Sequence, residues 1–311
     1  MRLRGNALQL LASSELNSIV IDIKGDRGML CYPSRISVAR DCGAQRVITA
    51  PQLASLLKKL REQGVYTIAR QVVFKDNPLA TYARQWAIRR GDGALYLDRE
   101  GLAWADPTCE DVQKYNLSIA EEAAALGFDE IQFDYVRFPD AAGLDFGKAN
   151  TAARRIETIV GFLNAAKSRL GQRQVAVAAD VFGYVLWNRD DTGIGQQLEQ
   201  MLPSVDYLCP MLYPSSFQHG IPGIPDPLGD PHQIILRSLR NAVRRTKADP
   251  CRFRPWLQAF DDYAFDGRRI GALEIRTQIS AAESFGAHGW MLWNPRNIYR
   301  AEDLGAPHAP K

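Results

Sequence analysis

The sequence is poor in the side chains that commonly hold metals or activate a serine. Its 311 residues include only four histidines and five cysteines. The cysteines are far apart, have no CxxC spacing and have no histidine nearby, so a zinc site and a disulfide framework are disfavoured. No histidine stands in a Ser/His/Asp or metal-ligand pattern, which disfavours a serine triad. We therefore expect neither a metal nor another cofactor.

Long apolar runs and blocks of like charge are also missing. No run of about 18 apolar residues occurs, so no membrane span is predicted. The net charge is +3, with Lys and Arg spread along the chain, and no basic arm or stripe indicates a nucleic-acid partner. The start, 1–16, is interrupted by polar residues and has no small-residue cleavage site, so it predicts a helix rather than a signal peptide. These features specify neither an oligomeric state nor a cellular location.

The chain does contain enough apolar material for one large core. Hydrophobic residues make up 46% and charged residues 23%, and no linker divides the sequence, so we predict a single domain over 1–311. Helical patterns alternate with short β-rich runs that end at a polar residue. The predicted strands are 17–25, 64–74, 128–139, 174–184, 205–214, 253–260 and 288–295.

Eight helical patterns accompany these seven strands. They fall near 6–16, 51–63, 78–89, 110–126, 148–170, 191–202, 231–247 and 271–286. Several strands are apolar at every position, which is typical of a parallel sheet buried on both faces. Strict alternation then predicts an α/β fold, a TIM (β/α)8-type barrel that lacks its first strand. Either the natural start lies upstream or another segment fills the gap. A doubly wound open sheet remains the alternative, although 25–28 matches a dinucleotide-binding turn only weakly.

Catalytic groups in barrels come from the C-terminal ends of the strands. Asp134 lies inside the run IQFDYVRF and shares one strand face with Gln132. A buried carboxylate is costly unless it is paired or used, so Asp134 is either catalytic or held by a cation such as Arg137. Asp180 closes the next strand and is either catalytic or a cap. Carboxylates on neighbouring strands can flank one scissile bond, as glycoside hydrolysis requires.

Further polar and aromatic residues follow the strand ends. Asp22 and Lys24 share one face of the first strand and could pair with each other, and Asp22 is a substrate-binding or supporting residue. Aromatic rings suit stacking on the C–H face of a sugar, although each is also a reasonable core residue. The long loop 215–231, rich in Pro and Gly, is expected to overhang the active-site face or to be a passive surface loop. The predicted substrate-binding set is Asp22, Lys24, Tyr135, Arg137, Tyr213, Trp256, Gln258, Trp293 and Asn294.

At these residues the chain resembles the glycoside hydrolase family described as the DUF4015 domain. The matching stretches include GFDEIQFDYVRFPD (127–140), VAADVFG (177–183) and GWMLWNPRNIY (289–299), of which DYVRFP and ADVFG are quite specific. The resemblance implies a TIM-barrel glycosidase with carboxylates at Asp134 and Asp180. Relatives usually have an additional first strand and a secretion signal, which suggests a secreted, periplasmic or envelope-associated location. They often have an acidic residue at the position of Ala259, so no role transfers to that position.

The sequence therefore predicts a hydrolase that cleaves O-glycosidic bonds of a poly- or oligosaccharide. Asp134 would be the nucleophile or stabilising carboxylate and Asp180 the acid/base, or the reverse. A non-catalytic carbohydrate-binding or envelope-associated barrel is the competing class. A metal-dependent lyase or isomerase is a third.

Overall fold

The computed structural model describes residues 2–147 and 149–307. Its helices are α1 (Arg2–Ser13), α2 (Ser37–Asp41), α3 (Leu53–Glu62), α4 (Asn77–Tyr82), α5 (Glu110–Leu126), α6 (Ala152–Gly171), α7 (Leu198–Met201), α8 (Pro231–Thr246) and α9 (Ala272–Phe285). Its strands are β1 (Ser18–Lys24), β2 (Tyr66–Val72), β3 (Arg89–Arg90), β4 (Glu130–Asp134), β5 (Leu144–Asp145), β6 (Ala176–Phe182), β7 (Tyr207–Met211), β8 (Trp256–Gln258) and β9 (Met291–Trp293). None of the helices in these ranges is long and apolar enough to cross a membrane.

The helices begin and end where local chemistry requires it. Acidic residues occupy the first turn of α5, and its cap Gly127 has a φ of 108°, a left-handed conformation that glycine adopts without strain. In α8 the side chain of Asp230 accepts the Gln233 N–H at 3.1 Å, and Pro231 follows in the first turn. Such signals explain why both helices lie within a residue of their predicted bounds.

Two predicted helices are much shorter in the structure, and the helix predicted near 6–16 begins and ends earlier, as α1 (Arg2–Ser13). The helix predicted at 191–202 is reduced to α7, because the Asp191 carboxylate accepts the N–H groups of Gly193 and Gly195 and folds that segment as a turn. The helix predicted at 78–89 ends at Tyr82 and is followed by a 3₁₀ turn. Lys148, the predicted start of α6, lies outside the described residues. The structure adds α2 and the small antiparallel sheet of β3 and β5, which the sequence patterns did not indicate.

The chain divides into two compact units. One contains 20–180 and 189–206, and the other contains 1–19, 181–188 and 207–311. In the first, the strand order is β1-β2-β4-β6, and β4 pairs in parallel with β2 and with β6. In the second, the order is β7-β8-β9, again with parallel pairs. The prediction of one domain stays a prediction.

The prediction of an α/β fold is confirmed. Seven strands, all of them predicted, are arranged in the described residues as in a TIM-type barrel with one strand too few. The bounds are shorter than predicted, and β4, β8 and β9 have less than half of their predicted lengths.

Packing in the core of the first unit determines which side chains of β4 face the helices and which face away from them. Phe133 of β4 packs edge-on against Phe162 of α6 with ring centroids 5.2 Å apart, and Phe74 meets the same ring at 5.5 Å. Because side chains alternate along a strand, Gln132 and Asp134 must point to the opposite face of β4. The helix-facing apolar residues thereby direct the carboxylate away from the helices.

Candidate functional site

Arg70 of β2 is the centre of a charged cluster in the first unit. Its Nη1 contacts Asp22 Oδ1 at 3.0 Å, and its Nη2 contacts Asp26 Oδ1 at 3.1 Å and Asp134 Oδ2 at 2.5 Å. The guanidinium is almost fully buried, whereas Asp22 and Asp26 are about half-exposed. Burial opposes its charge, but Asp134, Asp22, Asp26 and Asp180 outweigh this effect and raise the pKa of Arg70. Arg70 thus contacts the carboxylates of Asp22, Asp26 and Asp134 at the same time.

Asp134 is fixed at both of its oxygens. Its Oδ2 also accepts a hydrogen bond from Arg70 Nε at 2.9 Å, and its Oδ1 accepts the N–H of Tyr135 at 2.6 Å. Tyr135 has a φ of 49°, which costs a non-glycine residue about 1 kcal/mol or more. This backbone conformation ends β4 and turns the Tyr135 N–H toward the carboxylate. The sequence had suggested Arg137 as the cation for Asp134, but the ion pair is with Arg70.

Asp180 lies on the next strand of the same unit, two residues before the end of β6. The last paired positions of β4 and β6 are Phe133 and Ala179, so Asp134 and Asp180 follow at the same level on neighbouring strands. Strands in a sheet lie about 4.8 Å apart. Asp180 is buried, and its backbone carbonyl accepts the Gln196 side-chain amide at 3.2 Å. The two carboxylates predicted to act together therefore occupy adjacent strand ends.

Asp26 is a carboxylate of the cluster whose pKa is raised. Desolvation raises the pKa of Asp26, the Arg70 cation partly opposes this, and the carboxylates of Asp134 and Asp22 raise it further. A carboxylic acid with a raised pKa is better able to donate a proton near neutral pH. Asp26 was not among the predicted site residues.

Tyr135 and Arg137 form an aromatic and cationic border beside Asp134. The Arg137 guanidinium carbon lies 4.8 Å from the centre of the Trp104 ring and 5.1 Å from that of Tyr135. Lys75 Nζ lies 5.2 Å from the same Tyr135 ring. Desolvation is the main cause that raises the pKa of Tyr135 and lowers that of Arg137. Tyr135 therefore remains a neutral hydroxyl that can donate or accept a hydrogen bond.

Lys24 does not pair with Asp22, as its position on β1 had suggested. It is fully buried and contacts Asp76 Oδ2 at 2.5 Å, Asn116 Oδ1 at 2.8 Å and the carbonyl of Val73 at 3.2 Å. Asp22 pairs with Arg70 instead. In addition, a Cβ on Gly28 would lie 2.4 Å from Asp76 Oδ1, so the loop that carries Asp26 packs directly on this buried pair. Lys24 thus belongs to the buried pair on which the Asp26 loop packs, and it is not exposed to a substrate.

The predicted aromatic residues of the second unit are brought together in pairs. Trp256 and Trp293 meet edge-on with ring centroids 5.6 Å apart, and Tyr213 meets Phe260 in the same way at 5.4 Å. Trp256 is buried, while Tyr213 and Trp293 are partly exposed. Two of the predicted aromatic residues are therefore accessible to a ligand.

Gln258 and Asn294 use their side chains to fix loops. Gln258 is fully buried, accepts the Ser215 N–H at 3.0 Å and donates to Ser215 Oγ at 2.7 Å. Asn294 donates to the carbonyl of Ala259 at 2.5 Å and accepts the N–H of Arg296 at 2.9 Å. The 215–231 loop is tied down as well, since Tyr184 Oη donates to the Gly220 carbonyl at 3.2 Å and accepts the His219 N–H at 3.0 Å.

The predicted site included neither Asp26 nor Arg70, although Arg70 is one of the polar residues at the predicted strand ends. Arg70 had the stronger signal, because a charged residue inside an otherwise buried strand must have a partner. Asp26 lies in the loop after β1, where no periodicity indicates which way a side chain points. Its role is visible only once β1 and β2 are placed side by side.

Solved structures that resemble this chain include a glycoside hydrolase domain, a chitinase and a hypothetical protein. The PgaB (BpsB) glycoside hydrolase domain from Bordetella bronchiseptica is 19% identical with a TM-score of 0.68, over 94% of this chain and 88% of that one. A chitinase from Chromobacterium violaceum is 12% identical with a TM-score of 0.57, over 97% and 94%. A hypothetical protein from Ruminiclostridium thermocellum is 35% identical with a TM-score of 0.51, over 58% and 90%. These likenesses show the fold. A search of curated proteins finds no match.

The family comparison covers nearly the whole chain. The model of DUF4015, described as "Putative glycosyl hydrolase domain", matches residues 1–299. This chain therefore belongs to the DUF4015 family.

Proposed function

We propose that the protein is a glycoside hydrolase that cleaves O-glycosidic bonds with Asp134 and Asp180. The observation that carries the proposal is the register of β4 and β6, in which these two residues directly follow the paired Phe133 and Ala179. Both carboxylates are buried, which is costly unless they are paired or used. Membership of the DUF4015 family supports carbohydrate hydrolysis in general.

The contacts of Asp134 place a positive charge directly beside its carboxylate. Arg70 places two N–H groups on its Oδ2, and the adjacent positive charge stabilises a negative one. We therefore assign Asp134 as the nucleophile or as the group that stabilises an oxocarbenium-like transition state. Asp180 is then the acid/base. The reverse order predicts that a good leaving group rescues the Asp134 variant rather than the Asp180 variant.

The charge of the cluster limits the substrate. Asp22, Asp26, Asp134 and Asp180 all act on Arg70, and Arg137 is a second cation beside Asp134, so the four carboxylates outnumber these two arginines. Like charges repel, which disfavours a uronic acid and favours a neutral sugar or an amino sugar. The fold likeness to a chitinase makes chitin and its deacetylated form, chitosan, the first substrates to test.

Within the first unit we assign sugar contacts beside the catalytic pair to Asp22, Tyr135 and Arg137, and within the second unit we assign sugar contacts to Tyr213 and Trp293. Each of these side chains is at least partly exposed. Trp256, Gln258 and Asn294 support the loops of the second unit, and the buried Lys24 supports Asp76. Lys24 and Gln258 are fully buried, so we assign them no direct contact with the substrate.

The test is release of reducing ends from chitin, chitosan, a β-glucan and polygalacturonate. We expect hydrolysis of at least one neutral or amino-sugar polymer, and a loss of at least about 100-fold in Asp134→Asn and in Asp180→Asn. Asp206→Asn is the matched control, because Asp206 lies before β7, at the opposite strand end, and pairs with Lys167 at 3.3 Å. Circular dichroism and thermal unfolding establish that each variant is folded.

Three outcomes would contradict the proposal. Unchanged turnover in Asp134→Asn would remove its catalytic role. Binding of a polysaccharide without hydrolysis by the wild type would favour the non-catalytic carbohydrate-binding alternative, and loss of activity on chelation of divalent cations would favour a lyase or isomerase.

A further inference from the structure

We propose that Tyr213, Phe260 and Tyr263 form an aromatic platform that binds a sugar ring of a polysaccharide chain, with Tyr263 as its main contact. The inference rests on the glycosidase function proposed above and adds a binding site to it. Neither Phe260 nor Tyr263 was predicted from the sequence.

The three rings make a continuous strip in the second unit. Phe260 meets Tyr213 edge-on at 5.4 Å and stacks on Tyr263 at 6.1 Å, with 24° between the last two ring planes. Tyr213 lies two residues after β7, and Phe260 lies two residues after β8. The strip thus lies at the C-terminal ends of these strands, where barrels bind their substrates.

Tyr263 is unusually accessible for an aromatic residue that already has a ring partner. It is 65% exposed, and Phe265, two residues later, is 45% exposed. A tyrosine ring has an apolar face for the C–H groups of a sugar and a polar tip for its hydroxyls. Its stacking on Phe260 holds the outward face of the ring ready for a ligand.

The loop that carries Tyr263 is rigid because it is wound around a buried carboxylate. Asp262 Oδ2 accepts the N–H groups of Phe265, Asp266 and Gly267, each at 2.9 Å. Its Oδ1 accepts the Ser215 hydroxyl at 2.7 Å. Burial alone would raise the pKa of Asp262, but the hydrogen bonds from Ser215 and the backbone hold it well below its usual range. The carboxylate therefore stays charged and keeps the loop closed.

A fixed loop lowers the entropy lost when a ligand binds, which is the advantage of a preorganised site. A specific protein interface buries about 800 Å² on each side, which takes many more residues than three rings. Three rings, two of them partly covered by their neighbours, match a flat sugar ring better. The occupant we infer is one residue of the glycan chain.

The experiment separates binding from cleavage by working in the Asp134→Asn protein. Its migration is measured in native gels that contain glycol chitin, chitosan or a soluble β-glucan. We expect at least one polysaccharide to retard it, and Tyr263→Ala to weaken the apparent affinity about 3- to 10-fold, the loss of one ring contact. Tyr263→Phe, which keeps the ring, should retain most of the affinity.

Tyr207→Ala is the matched control, because Tyr207 stacks on His288 at 4.7 Å at the opposite end of β7. Retardation that Tyr263→Ala leaves unchanged, or that Tyr207→Ala reduces equally, overturns the inference. So does a protein that no polysaccharide retards.

The two proposals fail in different ways. Hydrolysis by the wild type with no effect of Tyr263→Ala on binding removes the platform and keeps the glycosidase. Retardation that depends on Tyr263, without hydrolysis by the wild type, keeps the platform and removes the glycosidase.

Discussion

Arg70 donates two hydrogen bonds to a single oxygen of Asp134, from Nε at 2.9 Å and from Nη2 at 2.5 Å. The other oxygen of Asp134 accepts the N–H of Tyr135. The carboxylate is therefore held in one orientation by groups on two strands. A catalytic group needs this kind of fixed placement, because small displacements lower the rate strongly.

Replacing Arg70 by Lys should retain the positive charge, but it should no longer hold the neighbouring carboxylates in place. A lysine ammonium is a compact donor and cannot reproduce the planar fork that reaches Asp22, Asp26 and Asp134 together. We expect kcat/KM on the polysaccharide identified above to fall on the order of 100-fold. Arg89→Lys is the control, since that arginine is partly exposed and its guanidinium binds only backbone carbonyls in the contacts seen here. Equal activity in the Arg70 variant and the wild type would contradict the role of the fork.

Asp26 should make the protein less stable as the pH rises above 3.8. Its pKa is raised in the folded state, so between the ordinary value of 3.8 and the folded value the folded protein keeps a proton that the unfolded chain releases. The free energy of unfolding then falls with increasing pH in this window. Asp26→Asn cannot ionise, and we expect it to be more stable than the wild type at pH 7.

The difference in the free energy of unfolding between Asp26→Asn and the wild type should shrink toward pH 3, where Asp26 is protonated in both the folded and the unfolded state. Urea unfolding of the wild type and the variant from pH 3 to 7 measures it. A variant that is less stable than the wild type at pH 7 would show that the Arg70 contact outweighs desolvation.

Removing one partner of the buried pair Lys24 and Asp76 should lower the free energy of unfolding much more than replacing both partners. Lys24→Met leaves Asp76 charged and buried, and we expect a loss of about 3–5 kcal/mol in the free energy of unfolding. Lys24→Met combined with Asp76→Asn should recover part of this loss. The exposed pair Lys114 and Glu110, 3.4 Å apart, is the control, and Lys114→Met should cost less than about 1 kcal/mol. Additive effects of the two buried substitutions would argue against coupling.

Tyr135→Phe tests whether the hydroxyl of Tyr135 contacts the substrate. The ring remains between Lys75 and Arg137, and the backbone N–H bond to Asp134 is unaffected. Loss of one neutral hydrogen bond of about 0.5–1.5 kcal/mol should raise KM about 2- to 10-fold with little change in kcat. A large fall in kcat with unchanged KM would indicate a direct catalytic role instead.

The fold could be predicted from the sequence because its signals are local. The apolar runs of β1 and β2 and the glycine after α5 mark elements that the structure places within one or two residues of expectation. The segment 191–202 shows the limit of this approach. Its composition allows a helix, but the contacts of Asp191 with Arg155 at 2.6 Å and with nearby glycines decide otherwise.

The candidate site was only partly predictable for the same reason. Strand parity identifies Asp134 and Asp180, but it does not say which cation lies beside them. Lys24 and Asp22 have the same parity on β1, and yet one is buried with Asp76 while the other meets Arg70. Which side chains pair across neighbouring strands depends on the strand register, and the register cannot be read from the sequence.

The sharing of one guanidinium among several aspartates has a consequence for how this cluster can evolve. A substitution at Asp22 frees a donor of Arg70 that can turn toward Asp26 or Asp134, so the effect of a second substitution depends on the first. Changes at these positions are therefore epistatic. Homologues that lose one aspartate should tend to differ at the others, or at Arg70, as well.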